Sequence, residues 1–205
     1  MVAVLCGCDS DRGTLPSPTS QNPYKALTSK DDVLYNLELL YPLCDTTEYK
    51  RVLDDDLTFF FSDVDIANGI PFTEFDKQQE LESLRNMADE NRPDRVLSIE
   101  LSLSYSEEEW TPIAPDDPAY SHETWYQKTV GYYMTVQAEP NMTYTSNYVL
   151  DAQITVREVV AQGGAKMWKI IRWQDYVMGG GLHGDFGKEP LIRATTWGGV
   201  KALYQ

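Results

Sequence analysis

The sequence is poor in the residues that most often announce chemistry. It has two histidines, His122 and His183, and three cysteines, Cys6, Cys8 and Cys44. Three thiols at those positions offer neither a disulfide framework nor a CxxC pair. With so few histidines no zinc centre is expected, and no cofactor motif is found, so the expectation is no metal and no cofactor. No apolar run is long enough for a transmembrane helix. Positive charge is scarce too: 17 basic residues face 32 acidic ones, a formal net charge of −15. No local Lys/Arg cluster overturns that field, which argues against nucleic acid as a partner. Anionic lipid is repelled as well, so membrane attachment requires a covalent anchor.

What is present fits one domain. A chain of 205 residues can bury a sizeable core. The aromatic share of 12% is led by 13 tyrosines, side chains suited equally to a half-wet cavity wall and to an ordinary sheet.

The front end carries one pattern. Leu5-Cys6-Gly7-Cys8 resembles a bacterial lipobox, in which Cys8 would be lipidated, and the Pro/Ser-rich tract after it has the composition of a tether. A basic n-region and a full apolar h-region are lacking, so the initiator is expected upstream. Residues 1–27 are read as a truncated lipoprotein signal remnant and flexible tether. The alternative is a cytosolic domain with a disordered tail. Cys44 is read as a small core residue.

Helical spacing of Val33, Leu34, Leu37, Leu40 and Tyr41 predicts a helix over 30–41, stopped by Pro42. A short helix follows over 46–53 with a threonine cap, then a strand at LTFFFS. A third helix follows Pro71, with Thr73 and Asp76 approximating a capping box and Leu81, Leu84, Met87 and Ala88 forming its stripe. Strict alternation over 95–105 predicts a strand with Leu97, Ile99, Leu101, Leu103 and Tyr105 on one face. Strands over 128–138, 147–160 and 166–176, separated by Glu139-Pro140-Asn141 and Gln162-Gly163-Gly164, complete an antiparallel meander. Residues 179–205 are set apart as a Gly-rich loop and C-terminal tail, with a short terminal helix in WGGVKALYQ.

That element order resembles the nuclear transport factor 2-like (SnoaL-like, cystatin-like) α+β fold over residues 28–178. Two motifs carry the resemblance: the first helices through LDDDLTFFFS, and Met167-Trp168-Lys169-Ile170-Ile171-Arg172-Trp173 as the closing strand. It implies an α+β fold in which a curved antiparallel sheet wraps around N-terminal helices and leaves a conical pocket. With the N-terminus, it implies a lipid-anchored protein of the bacterial cell envelope.

The candidate residues divide by location. Asp54, Asp55 and Asp56 are read as a solvated turn before a buried strand, since alternate EF-hand ligands are missing. Asp63 and Asp65, just past the Phe run, are the candidates for a general base if desolvated. His122 and His183 are read as exposed loop residues. Phe60, Tyr133, Trp168, Arg172 and Trp173 are expected to line the pocket, with period two placing Trp168, Ile170 and Arg172 on one face and Ile171, Trp173 and Asp175 on the other. Trp110, Tyr120, Trp125 and Tyr126 are expected to form a lid or interface. The leading functional expectation is an extracytoplasmic protein binding a small apolar or amphipathic ligand, or acting as an accessory partner, with a homodimer through the sheet. The alternative is a cofactor-independent isomerase, dehydratase or hydrolase using a pocket carboxylate.

Overall fold

A computed structural model of the chain describes residues 22–106, 109–145, 150–161, 163–176, 192–194 and 196–205. Cys8 and His183 lie outside the described residues.

The helices start where the sequence supplies caps. Ser29 and Asp32 form a reciprocal capping box at the head of α1 (Lys30–Leu40), whose Val33, Leu34, Leu37 and Leu40 are buried at the expected spacing. The second helix, α2 (Thr46–Val52), is capped by Asp45, whose carboxylate accepts from the Glu48 N–H, rather than by a threonine. The strand β1 (Leu53–Phe60) follows without a loop. A short helix not anticipated from the sequence, α3 (Asp63–Ala67), comes next, with its own Ser62/Asp65 capping box. A short strand, β2 (Glu74–Asp76), leads into α4 (Lys77–Met87). The box there is Asp76 with Gln79, three residues later than expected.

The remainder is mostly β: β3 (Val96–Ser104), β4 (Thr111–Ile113), a 3-10 turn at Pro118–Tyr120, β5 (Trp125–Ala138), β6 (Met142–Thr145), β7 (Leu150–Val160), β8 (Lys166–Tyr176) and β9 (Ile192–Ala194). The helix α5 (Trp197–Leu203) closes the described chain. The nine strands of the described residues join one sheet in the order β2-β1-β8-β7-β5-β6-β9, with β3 and β4 on the other edge of β5. The expected meander is present as β5, β7 and β8. The sheet is mixed, however, because β1 runs parallel to β8 and β9 parallel to β6. The result is the α+β arrangement that the resemblance implies, a curled sheet with the helices in its hollow.

Three bulges alter which side chains face that hollow. Val156 pairs with Ile170 and Thr155 with Arg172, so Ile171 is an extra residue in β8. Cross-strand partners share a face, and Ile154, paired with Trp173, shares its face with Val156. Ile170, Trp173 and Asp175 therefore point inward, while Arg172 points outward. This corrects the strict period-two reading of the strand. In β3, Val96 pairs with Ala138 and Ser98 with Gln137, so Leu97 is the bulged residue and stands exposed instead of joining Ile99. In β1 the register jumps between Leu53 and Thr58, and the three aspartates occupy the jump.

The C-terminal segment is no tail. Trp197, Val200 and Tyr204 are core residues, packed with Tyr41, Tyr49, Phe59, Phe75 and Trp173. The domain therefore extends past 178, through described residues to 205.

Candidate functional site

The hollow of the sheet concentrates buried polar chemistry. Tyr132 projects into it from β5, Trp173 and Asp175 from β8, Tyr41 from the end of α1, Tyr49 from α2, Asp65 from α3 and Glu80 from α4. Opposite all of them sits α5. Its Trp197 ring stacks on Trp173 at 6.0 Å and meets the Tyr41 ring edge-on at 4.0 Å. The indole N–H donates to the Tyr41 hydroxyl at 3.2 Å. Tyr49 gives its single hydroxyl hydrogen to Glu80 (2.7 Å), so in the Tyr41–Tyr49 contact (2.6 Å) Tyr41 donates and Tyr49 accepts. Lys201 lies 2.8 Å from the same Glu80 oxygen, with its ammonium over the Phe59 ring at 3.6 Å.

A second group of contacts holds the head of α5. Asp175 accepts from the Trp173 indole (2.9 Å) and from the Gly198 N–H (2.8 Å). The Trp197 N–H donates to the Tyr132 hydroxyl at 3.1 Å. Thr196 caps the helix by accepting from the Gly199 N–H and donates its own hydroxyl to Asp65. Burial sets the electrostatics. It pushes Asp175 up to about 7, against the opposing pull of Lys201 and the Gly198 N–H. It also lowers Lys201 and holds the phenols of Tyr41, Tyr49 and Tyr132 well above their ordinary value.

The hollow is therefore occupied. The cone that the sequence resemblance implies to be open is filled by the chain's own C-terminal helix.

The expected site residues separate accordingly. Trp173 is in the hollow, and Asp65 is buried there as the inward arm of its capping box, committed to Ser62 and Thr196. Asp63 is exposed in the first turn of α3. Phe60 is half-buried on β1, beside Glu74 and Gln174 rather than in the hollow. Tyr133 is 51% exposed, because it neighbours the inward Tyr132 and must point the other way. Arg172 is also on the outer face, paired with Asp116 and lying over the buried Trp125 ring at 5.3 Å. His122 is exposed at the turn before β5.

The aromatic segment does not cover the hollow as a lid. Tyr120 packs on Trp125 at 5.6 Å against the outer face of the sheet, and donates to Asp56 at 2.7 Å. The guanidinium of Arg157 lies over the Tyr120 ring at 4.7 Å and forms a two-pronged pair with Asp54 at 2.6 and 2.9 Å. It also reaches Asp56 at 2.9 Å. Of the three aspartates, Asp54 is 1% exposed, while Asp55 points to solvent and pairs with Lys77. The bulge separates their roles, so the reading of all three as a solvated turn is corrected at Asp54.

An open concavity of the described residues lies elsewhere, on the rim where α1 meets β4 and β5. It is a cleft of about 760 Å³ whose walls include Lys30, Asp31, Tyr105, Trp110, Tyr126 and Lys128. Asp31 accepts from the Trp110 indole at 2.9 Å and stands 3.7 Å from the ammonium of Lys128. Lys128 is 9% exposed and leans toward Tyr105 and Trp110, and Lys30 lies over the Tyr126 ring at 3.9 Å and the Trp168 ring at 4.9 Å. Desolvation first, then Asp31, raises the Tyr105 phenol. Of the expected residues, Trp110 and Tyr126 line this cleft, and Trp168 packs against Tyr126 at 5.4 Å beside it; Lys30, Asp31, Tyr105 and Lys128 were not anticipated. The available signal was Lys128, a lysine at an inward position of a strand, two residues from Tyr126.

No family model matches the chain, and no curated protein matches it. Solved structures similar to it include the following three. A conserved protein from Planctomyces limnophilus is 16% identical, with 71% of this chain and 91% of that one covered and a TM-score of 0.48. An NTF2-like protein from Rhodospirillum rubrum is 17% identical over 73% and 98%, at 0.43. A ketosteroid isomerase-like protein from Erwinia carotovora atroseptica is 8% identical over 78% and 100%, at 0.43.

Proposed function

We propose that this is a lipid-anchored, extracytoplasmic binding or accessory protein of nuclear transport factor 2-like build, which takes a small amphipathic ligand in the rim cleft. The observation that carries this reading is the occupied hollow. With α5 seated on Asp175, Glu80 and Tyr132, the cleft at Lys128 is an accessible concavity of ligand size among the described residues. Its aromatic walls suit an apolar body, and Lys30, Asp31 and Lys128 suit a polar end.

The test is native mass spectrometry of the protein purified from its host. A retained small molecule, or a stoichiometric co-purifying partner, is the expected result. Protein that is bare and alone under those conditions contradicts the reading.

A catalytic reading is favoured by one observation. Asp175, a carboxyl pushed up to about 7 in the hollow near Tyr132, has the environment of a general acid or base. It fits a cofactor-independent isomerase, dehydratase or hydrolase better than Asp63 does. It requires that a substrate reach a carboxyl which α5 covers.

A further inference from the structure

The hollow carries more ionisable chemistry than a structural core needs. Asp65, Glu80, Asp175 and Lys201 are each at most 4% exposed, three carboxyls against one ammonium. Such groups are often replaceable by apolar side chains with no loss of stability. Their pairing is also incomplete. Glu80 Oε1 has no hydrogen-bond partner among the described residues, and Lys201 meets Glu80 as an ion pair without an aligned hydrogen bond. Buried polar atoms left in this state call for an explanation.

These groups converge on α5, and α5 answers them as a ligand would. It presents a flat aromatic at Trp197 and a cation four residues on at Lys201, both directed at the same wall. The indole is sandwiched by Trp173 and the edge of Tyr41, with its N–H on a phenol. The ammonium meets Glu80 and the faces of Phe59 and Trp173. The helix itself is a poor one by composition, because Gly198 and Gly199 are adjacent in a seven-residue element. Gly198 is required by its seat: a Cβ there would stand 2.7 Å from the Phe61 ring and 3.2 Å from Asp65.

We propose that the hollow beneath α5 is a second ligand site, that Trp197 and Lys201 are its resident occupant, and that the free ligands competing for it are aryl-alkylamines. Such a molecule joins a flat ring to an ammonium and so reproduces both contacts at once. Displacing α5 frees Asp175 from the Gly198 N–H and adds a second carboxylate for the amine. This site is separate from the rim cleft and goes beyond the function proposed above.

The experiment is hydrogen exchange on the full chain, followed by mass spectrometry, with tryptamine as the probe. Indole and butylamine serve as its two halves. The α5 amides are expected to exchange at least tenfold faster than those at the centres of β5 and β7. Millimolar tryptamine is expected to speed them several-fold more while the sheet stays protected, and each half alone to do less. Exchange of α5 at the rate of the sheet centre, with no response to tryptamine, overturns the proposal and makes α5 a permanent core element. Lys128→Met, which alters the rim cleft, is expected to leave this response unchanged, so failure here is distinguishable from failure of the cleft. As a second measurement, tryptamine is expected to raise the Tm of a Trp197→Gly/Lys201→Ala variant by several degrees. Should that variant not fold, the exchange result on the native chain decides.

Discussion

Adjacent residues of one type have different work to do in this protein. Asp54 is buried and bridged twice to Arg157, whereas Asp55 stands in solvent. Removing one partner of a buried pair leaves the other charge uncompensated, so Asp54→Ala should cost on the order of 3 kcal/mol. Asp55→Ala should stay within about 0.5 kcal/mol of the native protein. Urea denaturation of the two variants checks this, and equal effects would return the aspartates to a common role as a solvated turn. Asp175 makes a pH prediction. Its folded pKa of about 7 lies above the ordinary carboxylate value, so the folded state holds the proton more tightly than the unfolded one. Its contribution is fully present below about pH 4 and is lost as pH rises to about 7. The stability difference between the native protein and Asp175→Asn should therefore fall by on the order of 3 to 4 kcal/mol over that window. A difference that stays flat from pH 4 to 8 shows that the carboxyl ionises normally.

At the scale of elements, the legible parts of the sequence were those governed by local rules. α1 and α4 followed from apolar spacing, although the α4 capping box sits three residues beyond the expected one; β3 followed from alternation, and β5, β7 and β8 from runs bounded by turn residues. The faces of those strands were less legible, because a bulge is set by cross-strand pairing that no single stretch records. One extra residue at Ile171 sends Arg172 outward and brings Trp173 and Asp175 in. For the same reason the expected pocket residues divided between the two faces. The role of α5 was hidden more deeply. WGGVKALYQ reads as a weak terminal helix, and its worth comes wholly from the seat that distant residues build for Trp197 and Gly198. That seat is tight, so Gly198→Ala should destabilise by about 1 to 3 kcal/mol through overpacking against Phe61. Leu203→Ala, at a 40% exposed position of the same helix, should cost well under half of that. Thermal melts that rank the two the other way contradict the seating of α5.

At the scale of the whole molecule, charge and attachment belong together. A chain of net charge −15 is repelled by anionic lipid, so a membrane address depends on the proposed acylation of Cys8. Metabolic labelling with a palmitate analogue should mark the native protein in a bacterial host and leave Cys8→Ala unmarked. Absence of label from both would remove the anchor and leave a domain with a polar, Pro/Ser-rich front end. A narrower question than cellular address is where the native protein carries its own ligand: in the rim cleft, because α5 occupies the hollow at rest. Native mass spectrometry of two variants purified from the host tests it most directly. Lys128→Met alters the cleft and Asp175→Asn alters the hollow. Whatever mass the native protein retains is expected to be lost from Lys128→Met and kept by Asp175→Asn. Loss from Asp175→Asn with retention by Lys128→Met would place recognition in the hollow and contradict it.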